Sequence, residues 1–287
     1  MSLNSNGVIV VRDVASLRAQ VAQWRAKGEK IALVPTMGAL HAGHVSLVKA
    51  GQALASRIIV SIFVNPTQFA PNEDFSAYPR TFEADVAKLA EANGDCVFAP
   101  TVPEMYGTGY ATTVSLAGPA LAGLEDKFRP THFAGVATVV AKLLNQAQAD
   151  FAMFGEKDYQ QLQVVTQMAQ DLDIPTRIIG VETMREADGL ALSSRNVYLS
   201  PQERATAPVL NESMVAASKD ILGGQGIEAA LNKARARVTA AGFVIDYIDV
   251  RDATNLSVVE KYEGRPLRML AAARLGKTRL IDNIAVG

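Results

Sequence analysis

A chain of 287 residues, 49% of them apolar, is long enough for two folded units, and no Gly/Ser or Pro/Ser tract speaks for disorder. Lys and Arg number 28 against 29 Asp and Glu, a near-neutral balance that gives no reason to expect a nucleic-acid or membrane-surface partner. The single Cys96 excludes an internal disulfide, the apolar segment 57–64 is too short to span a bilayer, and residues 1–7 lack a signal pattern, so a soluble cytoplasmic protein is expected.

Up to Val181, strand-length apolar runs alternate with helical periodicity. Strands are predicted at Lys30–Pro35, Arg57–Val64, Cys96–Pro100, Asp150–Gly155 and Arg177–Val181. Helices are predicted at Val14–Lys27, His44–Ala55, Thr81–Asn93, Gly135–Gln148 and Asp158–Leu172, and Thr112–Leu116 reads as an extra edge strand. Alternation of this kind, with strands apolar on both faces, predicts an α/β fold: a parallel sheet flanked by helices. Beyond Val181 the character changes. Ser200-Pro201-Gln202-Glu203 is a capping box with proline at the first helical position, and a second helical pattern runs Ile227–Ala241. Extended segments follow at Phe243–Val250, Leu267–Ala273 and Thr278–Ile284, the last two joined through Leu275-Gly276-Lys277. These predict a smaller C-terminal α+β domain, dividing the chain into 1–182 and 183–287.

The chemistry-bearing residues gather where strands end. Pro35-Thr36-Met37-Gly38-Ala39-Leu40-His41-Ala42-Gly43-His44 follows an apolar run and holds two of the three histidines. A strand feeding a Gly-containing turn into a helix start is where α/β proteins hold phosphates, on free N–H groups and the helix dipole. Two imidazoles there can donate to phosphoryl oxygens and gain charge near neutral pH as negative charge develops. The alternative is that they merely cap backbone groups.

Three further clusters repeat the placement. In Phe63-Val64-Asn65-Pro66-Thr67-Gln68-Phe69, Asn65 and Gln68 are neutral amides suited to hydroxyl or carboxylate recognition, although Asn-Pro also starts turns. In Gly155-Glu156-Lys157-Asp158-Tyr159-Gln160-Gln161, Lys157 can meet phosphates and Asp158 a ribose hydroxyl, while Asp158 with Gln161 also reads as a capping-box variant. In Met184–Asn196, Ser193 and Ser194 beside Arg195 form a polyphosphate clamp or else a solvated interdomain loop. His132 reads as a cap at a helix start, and Asp85 as a metal or structural carboxylate. Without a Cys/His metal spacing, magnesium is expected to arrive with the nucleotide.

Taken together, Pro35–His44, Phe63–Phe69, Gly155–Gln161 and Ser193–Asn196 resemble the pantoate–beta-alanine ligase (pantothenate synthetase) family, in order and along essentially the whole chain, with Phe128-Arg129-Pro130 and Tyr78-Pro79-Arg80-Thr81 in register. The resemblance implies a Rossmann-like nucleotidyltransferase fold and a two-step reaction. ATP and pantoate give a pantoyl adenylate and pyrophosphate; beta-alanine then releases pantothenate and AMP. It also implies that Met37, Gly38, Ala39, Leu40, His41, Ala42, Gly43 and His44 lie along ATP, with His44 as proton donor. By the same resemblance Gly155, Glu156, Lys157 and Asp158, with Leu192, Ser193, Ser194 and Arg195, hold the nucleotide, and Met184 meets it through its backbone. Gln68 and Gln161 match the glutamines that bind pantoate, Gln68 also lying at the beta-alanine site. His41, His44, Lys157 and Arg195 are therefore the expected catalytic set, Asn65 an added substrate contact, Mg2+ a companion of ATP, and a homodimer the expected assembly.

Ala42 stands where an acidic residue is common in that family, and Thr67 where Met or Leu is common; neither removes an indispensable group. Two rival functions remain at this stage. A transferase acting on a phosphorylated acceptor predicts a basic acceptor pocket, and a nucleotide sensor predicts loss of the histidines or Lys157.

Overall fold

Two sheets divide the chain. The structure, a computed structural model, describes residues 2–3, 7–70, 73 and 75–287. Its first part runs β1 (Ser2–Leu3), β2 (Ile9–Val11), α1 (Val14–Arg25), β3 (Ile31–Thr36), α2 (Ala42–Gln52), β4 (Arg57–Ile62), α3 (Phe82–Glu91) and β5 (Cys96–Phe98). The short α4 (Val102–Met105) and α5 (Glu125–Phe128) lead into α6 (His132–Ala147), β6 (Phe151–Gly155), α7 (Tyr159–Asp171) and β7 (Arg177–Val181). The sheet order is β1-β2-β5-β4-β3-β6-β7, with β1 antiparallel and β2 to β7 parallel. This is the predicted α/β class.

The apolar strands explain the layers. Leu33 and Ile59 pack with α1, α6 and α7 on one face, while Ala32, Val34 and Val60 pack with α2 and α3 on the other. Burial on both faces needs continuous apolar strands, as the sequence has. Cys96 lies in this interior, where burial pushes its thiol up to about 12 and leaves it inert. After β3 the chain moves outward to β4 and β5, then returns to lay β6 on the opposite side of β3. The strand order therefore reverses between β3 and β6, and a crevice opens at their carboxyl ends.

The second sheet follows α8 (Pro201–Thr206), α9 (Val209–Leu222) and α10 (Ile227–Ala240). It holds β8 (Val244–Asp252), β9 (Leu267–Leu275) and β10 (Thr278–Val286), antiparallel in the order β10-β9-β8, over a core of its own. The capping box forms as predicted, Ser200 Oγ accepting from Glu203 N and Glu203 Oε2 from Ser200 N.

Thr112–Leu116 is not a strand. Val114 N donates instead to Thr138 Oγ1 of α6 at 2.9 Å, so a helix side chain takes the place of a sheet partner. Strands β1 and β2, of two and three residues, were not anticipated. The strands observed at the predicted 57–64 and 96–100 are Arg57–Ile62 and Cys96–Phe98, each ending two residues early, with Phe63 N and Ala99 N making the last bonds, to Thr36 O and Val11 O. No helix among the described residues is long and apolar enough to cross a membrane.

Candidate active site

The turn after β3 is held from below. Thr36 Oγ1 donates to Ser61 O at 2.7 Å and accepts from Gly38 N at 3.2 Å. Gly38 and Ala39 adopt φ values of 85° and 51°, which glycine takes freely and alanine only under constraint. The constraint is Asp85 of α3, fully buried, whose two oxygens accept from Ala39 N at 2.9 Å and Leu40 N at 2.8 Å, with Thr81 Oγ1 donating at 3.2 Å. Of the two roles open to Asp85, the structural one is occupied: its oxygens fold this turn.

The turn delivers two imidazoles to the start of α2. His41 is the N-cap and its Nδ1 accepts from Gly43 N at 3.1 Å; His44 Nδ1 reaches back and accepts from His41 N at 3.2 Å. The pair forms a capping box built of histidines, with ring centroids 4.1 Å apart. Gly43 is required, since a Cβ there would stand 2.9 Å from His41 Cε1. An imidazole whose Nδ1 accepts carries its proton on Nε2, so both rings are neutral Nε2–H donors. Burial holds His41 at about 4, with the Lys157 charge adding to it. Burial holds His44 at about 3, His41 being the next cause. The capping reading holds, and the same geometry leaves both Nε2–H groups free of the cap and available as donors. Without an anion beside them the two imidazoles are neutral at pH 7.

Across the crevice, β6 ends in a 3-10 turn over Glu156–Asp158 that carries Lys157. Its carbonyls are held from the second sheet. Asn283 Nδ2 of β10 donates to Glu156 O at 2.8 Å and Lys157 O at 2.7 Å, and Arg268 of β9 meets Glu156 Oε2 at 3.0 Å. Lys157 Nζ lies 3.8 Å from Asp158 Oδ2. The capping box predicted for Asp158 and Gln161 does not form: Asp158 makes no side-chain cap, because the 3-10 turn occupies the helix start.

A cavity of about 250 Å³ joins these pieces. Met37, His41, Gly43 and His44 line it from β3, and Gly155, Lys157, Asp158 and Gln161 from β6. Met184, Leu192, Ser193, Ser194 and Arg195 close another side, and Gln68 enters from β4. Gly38, Ala39, Leu40, Ala42 and Glu156 do not line it and shape the turns instead. Residues 184–195 form a strap tied down at several points, with Met184 and Glu186-Ala187-Asp188 exposed to solvent. Leu192 N donates to Met184 O at 2.9 Å, Arg185 grips Asp282 at 2.7 and 2.9 Å, and the Arg195 guanidinium lies 5.9 Å from the Tyr78 ring.

The Asn65 amide is engaged on both its sides. It is 1% exposed, its Nδ2 donates to Gln68 Oε1 and Gly135 O, and its Oδ1 accepts from Thr67 and Tyr106. It reaches the cavity wall, but its amide is used up in holding Gln68. His132 is not a cap. Its Nδ1 meets Gln68 O at 3.0 Å and its Nε2 meets Arg129 at 3.2 Å, while burial and then Arg129 hold its pKa at about 4. Reading the sequence missed Arg129, Asn283 and Arg268. Arg129 had a signal in Phe128-Arg129-Pro130; the other two lie in unremarkable strand patterns.

A family model described as pantoate-beta-alanine ligase matches residues 9–285. The chain is 57% identical over 282 residues, 98% of its own length and 100% of the relative's, to pantothenate synthetase 2 of Bradyrhizobium diazoefficiens. Among solved structures it is similar to pantothenate synthetase from Thermus thermophilus, with TM-score 0.92, 44% identity, and 97% and 99% of the two chains covered. It is also similar to pantoate-beta-alanine ligase from Francisella tularensis complexed with beta-gamma ATP and beta-alanine, at TM-score 0.79 and 35% identity over 96% and 97% of the chains. Matched along nearly its whole length in both sequence and fold, the chain belongs to the pantoate-beta-alanine ligase family of enzymes.

Proposed function

We propose that this chain condenses pantoate with beta-alanine to pantothenate, ATP being cleaved to AMP and pyrophosphate through a pantoyl adenylate. The observation that carries the reading is the convergence of four cationic or N–H-donating side chains, His41, His44, Lys157 and Arg195, on a cavity whose remaining polar wall includes neutral Gln68 and Gln161. Positive groups suit a polyphosphate, and neutral amides suit a hydroxy acid whose carboxylate must stay nucleophilic.

In the first step a pantoate carboxylate oxygen bonds to the α-phosphorus of ATP and the bond to the β-phosphate oxygen breaks, releasing pyrophosphate. Charge builds on the non-bridging oxygens, where preorganised donors act most. The Nε2–H groups of His41 and His44 are fixed by the capping box before any ligand arrives, so little reorganisation is needed. His44, the expected proton donor, acts in this step as a neutral Nε2–H hydrogen-bond donor to the phosphate oxygens, and Lys157 and Arg195 meet the β- and γ-phosphates. Gly155, Asp158, Met184, Leu192, Ser193 and Ser194 hold the nucleoside and phosphates. In the second step the neutral amine of beta-alanine attacks the acyl carbon; the carbon–oxygen bond to AMP breaks, AMP leaves as its phosphate, and the amine's proton passes to solvent water.

Magnesium enters on the triphosphate, as part of the substrate. Imidazole, ammonium and guanidinium donors fit the phosphate oxygens a metal leaves uncovered. The labile adenylate needs shelter from water, and the strap Met184–Asn196, with a second domain 183–287 set against the first at 1–182, supplies it. A homodimer formed through the first domain and a cytoplasmic location complete the reading; sedimentation velocity checks the assembly.

The test is exchange of labelled pyrophosphate into ATP with magnesium and pantoate but without beta-alanine. Exchange that requires pantoate is expected. ATP binding with no exchange would sink the acyl-adenylate route.

A further inference from the structure

The hydrogen-bond polarity around Gln68 is determined by two backbone groups that cannot change sign. Thr67 N, a donor only, meets Asn65 Oδ1 at 3.3 Å. Gly135 O, an acceptor only, meets Asn65 Nδ2 at 3.2 Å. The Asn65 amide therefore has one orientation, because turning it over would set donor against donor and acceptor against acceptor. Two consequences follow outward from it. Tyr106 must donate its hydroxyl proton to Asn65 Oδ1, at 2.8 Å, and Thr67 Oγ1 does the same at 3.0 Å. Gln68 must present Oε1 to Asn65 Nδ2, at 3.1 Å, which turns its Nε2 away. That Nε2 meets Met37 Sδ at 3.1 Å, a weak acceptor on the cavity wall that an oxygen ligand would outcompete.

We propose that Asn65 and Tyr106 are positioning residues that lock Gln68 as a hydrogen-bond donor toward the bound hydroxy acid, so that the site accepts only a ligand presenting a carboxylate or hydroxyl oxygen at that point. The inference rests on the reading of Gln68 as a pantoate contact and adds its polarity and the source of that polarity. The lock is rigid because its surroundings are closed. Asn65 is 1% exposed, and α6 approaches so closely that a Cβ on Gly135 would stand 2.6 Å from the Thr67 carbonyl carbon. Tyr106 is itself packed against Phe63 and Tyr110, at ring-centroid distances of 6.2 and 5.0 Å. A glutamine on an open loop would turn its amide to suit whatever ligand arrived, and would discriminate nothing.

Asn65→Asp inverts the chain. A carboxylate cannot donate to Gln68 Oε1, so the Gln68 amide turns over, gives its NH2 to the new acid and faces the ligand with its carbonyl. The expected result is a KM for pantoate raised about 10- to 100-fold, the span of a lost hydrogen bond to a charged group, with KM for ATP unchanged. Tyr106→Phe removes one donor but leaves both backbone anchors, so a rise of about 3-fold in KM for pantoate alone is expected. Steady-state kinetics in the pyrophosphate-exchange assay read both variants, and thermal midpoints show that each is folded. A folded Asn65→Asp with KM for pantoate near that of the parent, or with both KM values shifted alike, overturns the lock. If that variant fails to fold, Tyr106→Phe decides by the same comparison. The parent enzyme separates the two ideas: no pantoate-dependent exchange in the parent refutes the functional reading, whereas an active parent with indifferent variants refutes only the lock.

Discussion

Arg279 of β10 grips both oxygens of Glu125 in α5, at 2.9 and 2.7 Å, and so ties the small antiparallel sheet to the parallel one. Glu125 also accepts from Tyr247 at 2.8 Å and has Arg129 at 3.8 Å, while Arg279 holds Asp246 at 2.7 Å. Arg129 in turn pairs with Glu73 and with the carbonyl of Gln68. A chain of alternating charge thus runs from the second sheet to the residue we assign to pantoate.

Removing Glu125 leaves Arg279 and Tyr247 facing each other with one carboxylate fewer. Because Arg279 keeps Asp246, Glu125→Ala is expected to cost about 1–3 kcal/mol, the loss of hydrogen bonds to a charged group rather than of the whole pair. Burial, the largest single cause, would raise the Glu125 pKa, but Arg279, Tyr247 and Arg129 together outweigh it and the net shift is downward. A carboxylate with a lowered folded pKa stabilises above its unfolded pKa, and the benefit disappears as pH falls through the folded value. Denaturant unfolding of parent and Glu125→Ala should therefore converge in acid; a difference that persists at low pH would contradict the pairing.

The three histidines make the molecule acid-sensitive in a different window. His41, His44 and His132 sit at about 4, 3 and 4 when folded, against an ordinary 6.5. Between those values the unfolded chain binds more protons, so stability is full above about pH 6.5 and declines as pH falls below it. By linkage each imidazole removes about 1–2 kcal/mol by about pH 5. Nitrogen-15 shifts at neutral pH should show unprotonated Nδ1 and protonated Nε2 for His41 and His44; the reverse tautomer would break the histidine capping box.

What was legible in the sequence was local. His41-Ala42-Gly43-His44 could be read because cap, glycine and imidazoles act on one another within a four-residue stretch just after a strand. The roles of Asp85 and Asn65 stayed ambiguous, since a buried carboxylate or amide takes its meaning from the partners that reach it. Those partners, Ala39 with Leu40 for one and Gly135 with Tyr106 for the other, lie 41 to 70 residues away. Asn283 and Arg268 were out of reach altogether, being strand residues whose targets lie more than a hundred positions earlier. The predicted edge strand at 112–116 failed for the same reason: its backbone partner is a threonine on α6, invisible to strand periodicity.

Gly135 offers a direct test of how closely α6 supports the substrate turn. An alanine Cβ would fall 2.6 Å from the Thr67 carbonyl carbon and 2.8 Å from Gln68 Cα, both backbone atoms that cannot rotate away. Gly135→Ala is expected to destabilise by about 1–3 kcal/mol through overpacking and to displace Gln68 from the cavity wall. The kinetic signature is a larger rise in KM for pantoate than for ATP. Equal changes in both would mean that the turn moves without carrying Gln68.

Asn283 tests whether the second sheet positions Lys157, the lysine we assign to the phosphates. Its Nδ2 satisfies the carbonyls of Glu156 and Lys157 at once, and its Oδ1 accepts from Arg268 at 2.6 Å, all at 2% exposure. Asn283→Ala leaves two carbonyls without a donor, a loss of about 1–3 kcal/mol, and frees the 3-10 turn that aims Lys157. Because small displacements of charged groups are costly near a phosphoryl centre, kcat is expected to fall by about 10- to 100-fold. Asn283→Asp separates the two effects, since it keeps the acceptor for Arg268 but loses the donor. It should match the alanine variant in kcat while keeping more stability. A variant that melts earlier yet turns over at the parental rate would show that Asn283 only braces the fold, and that Lys157 finds its place from β6 alone.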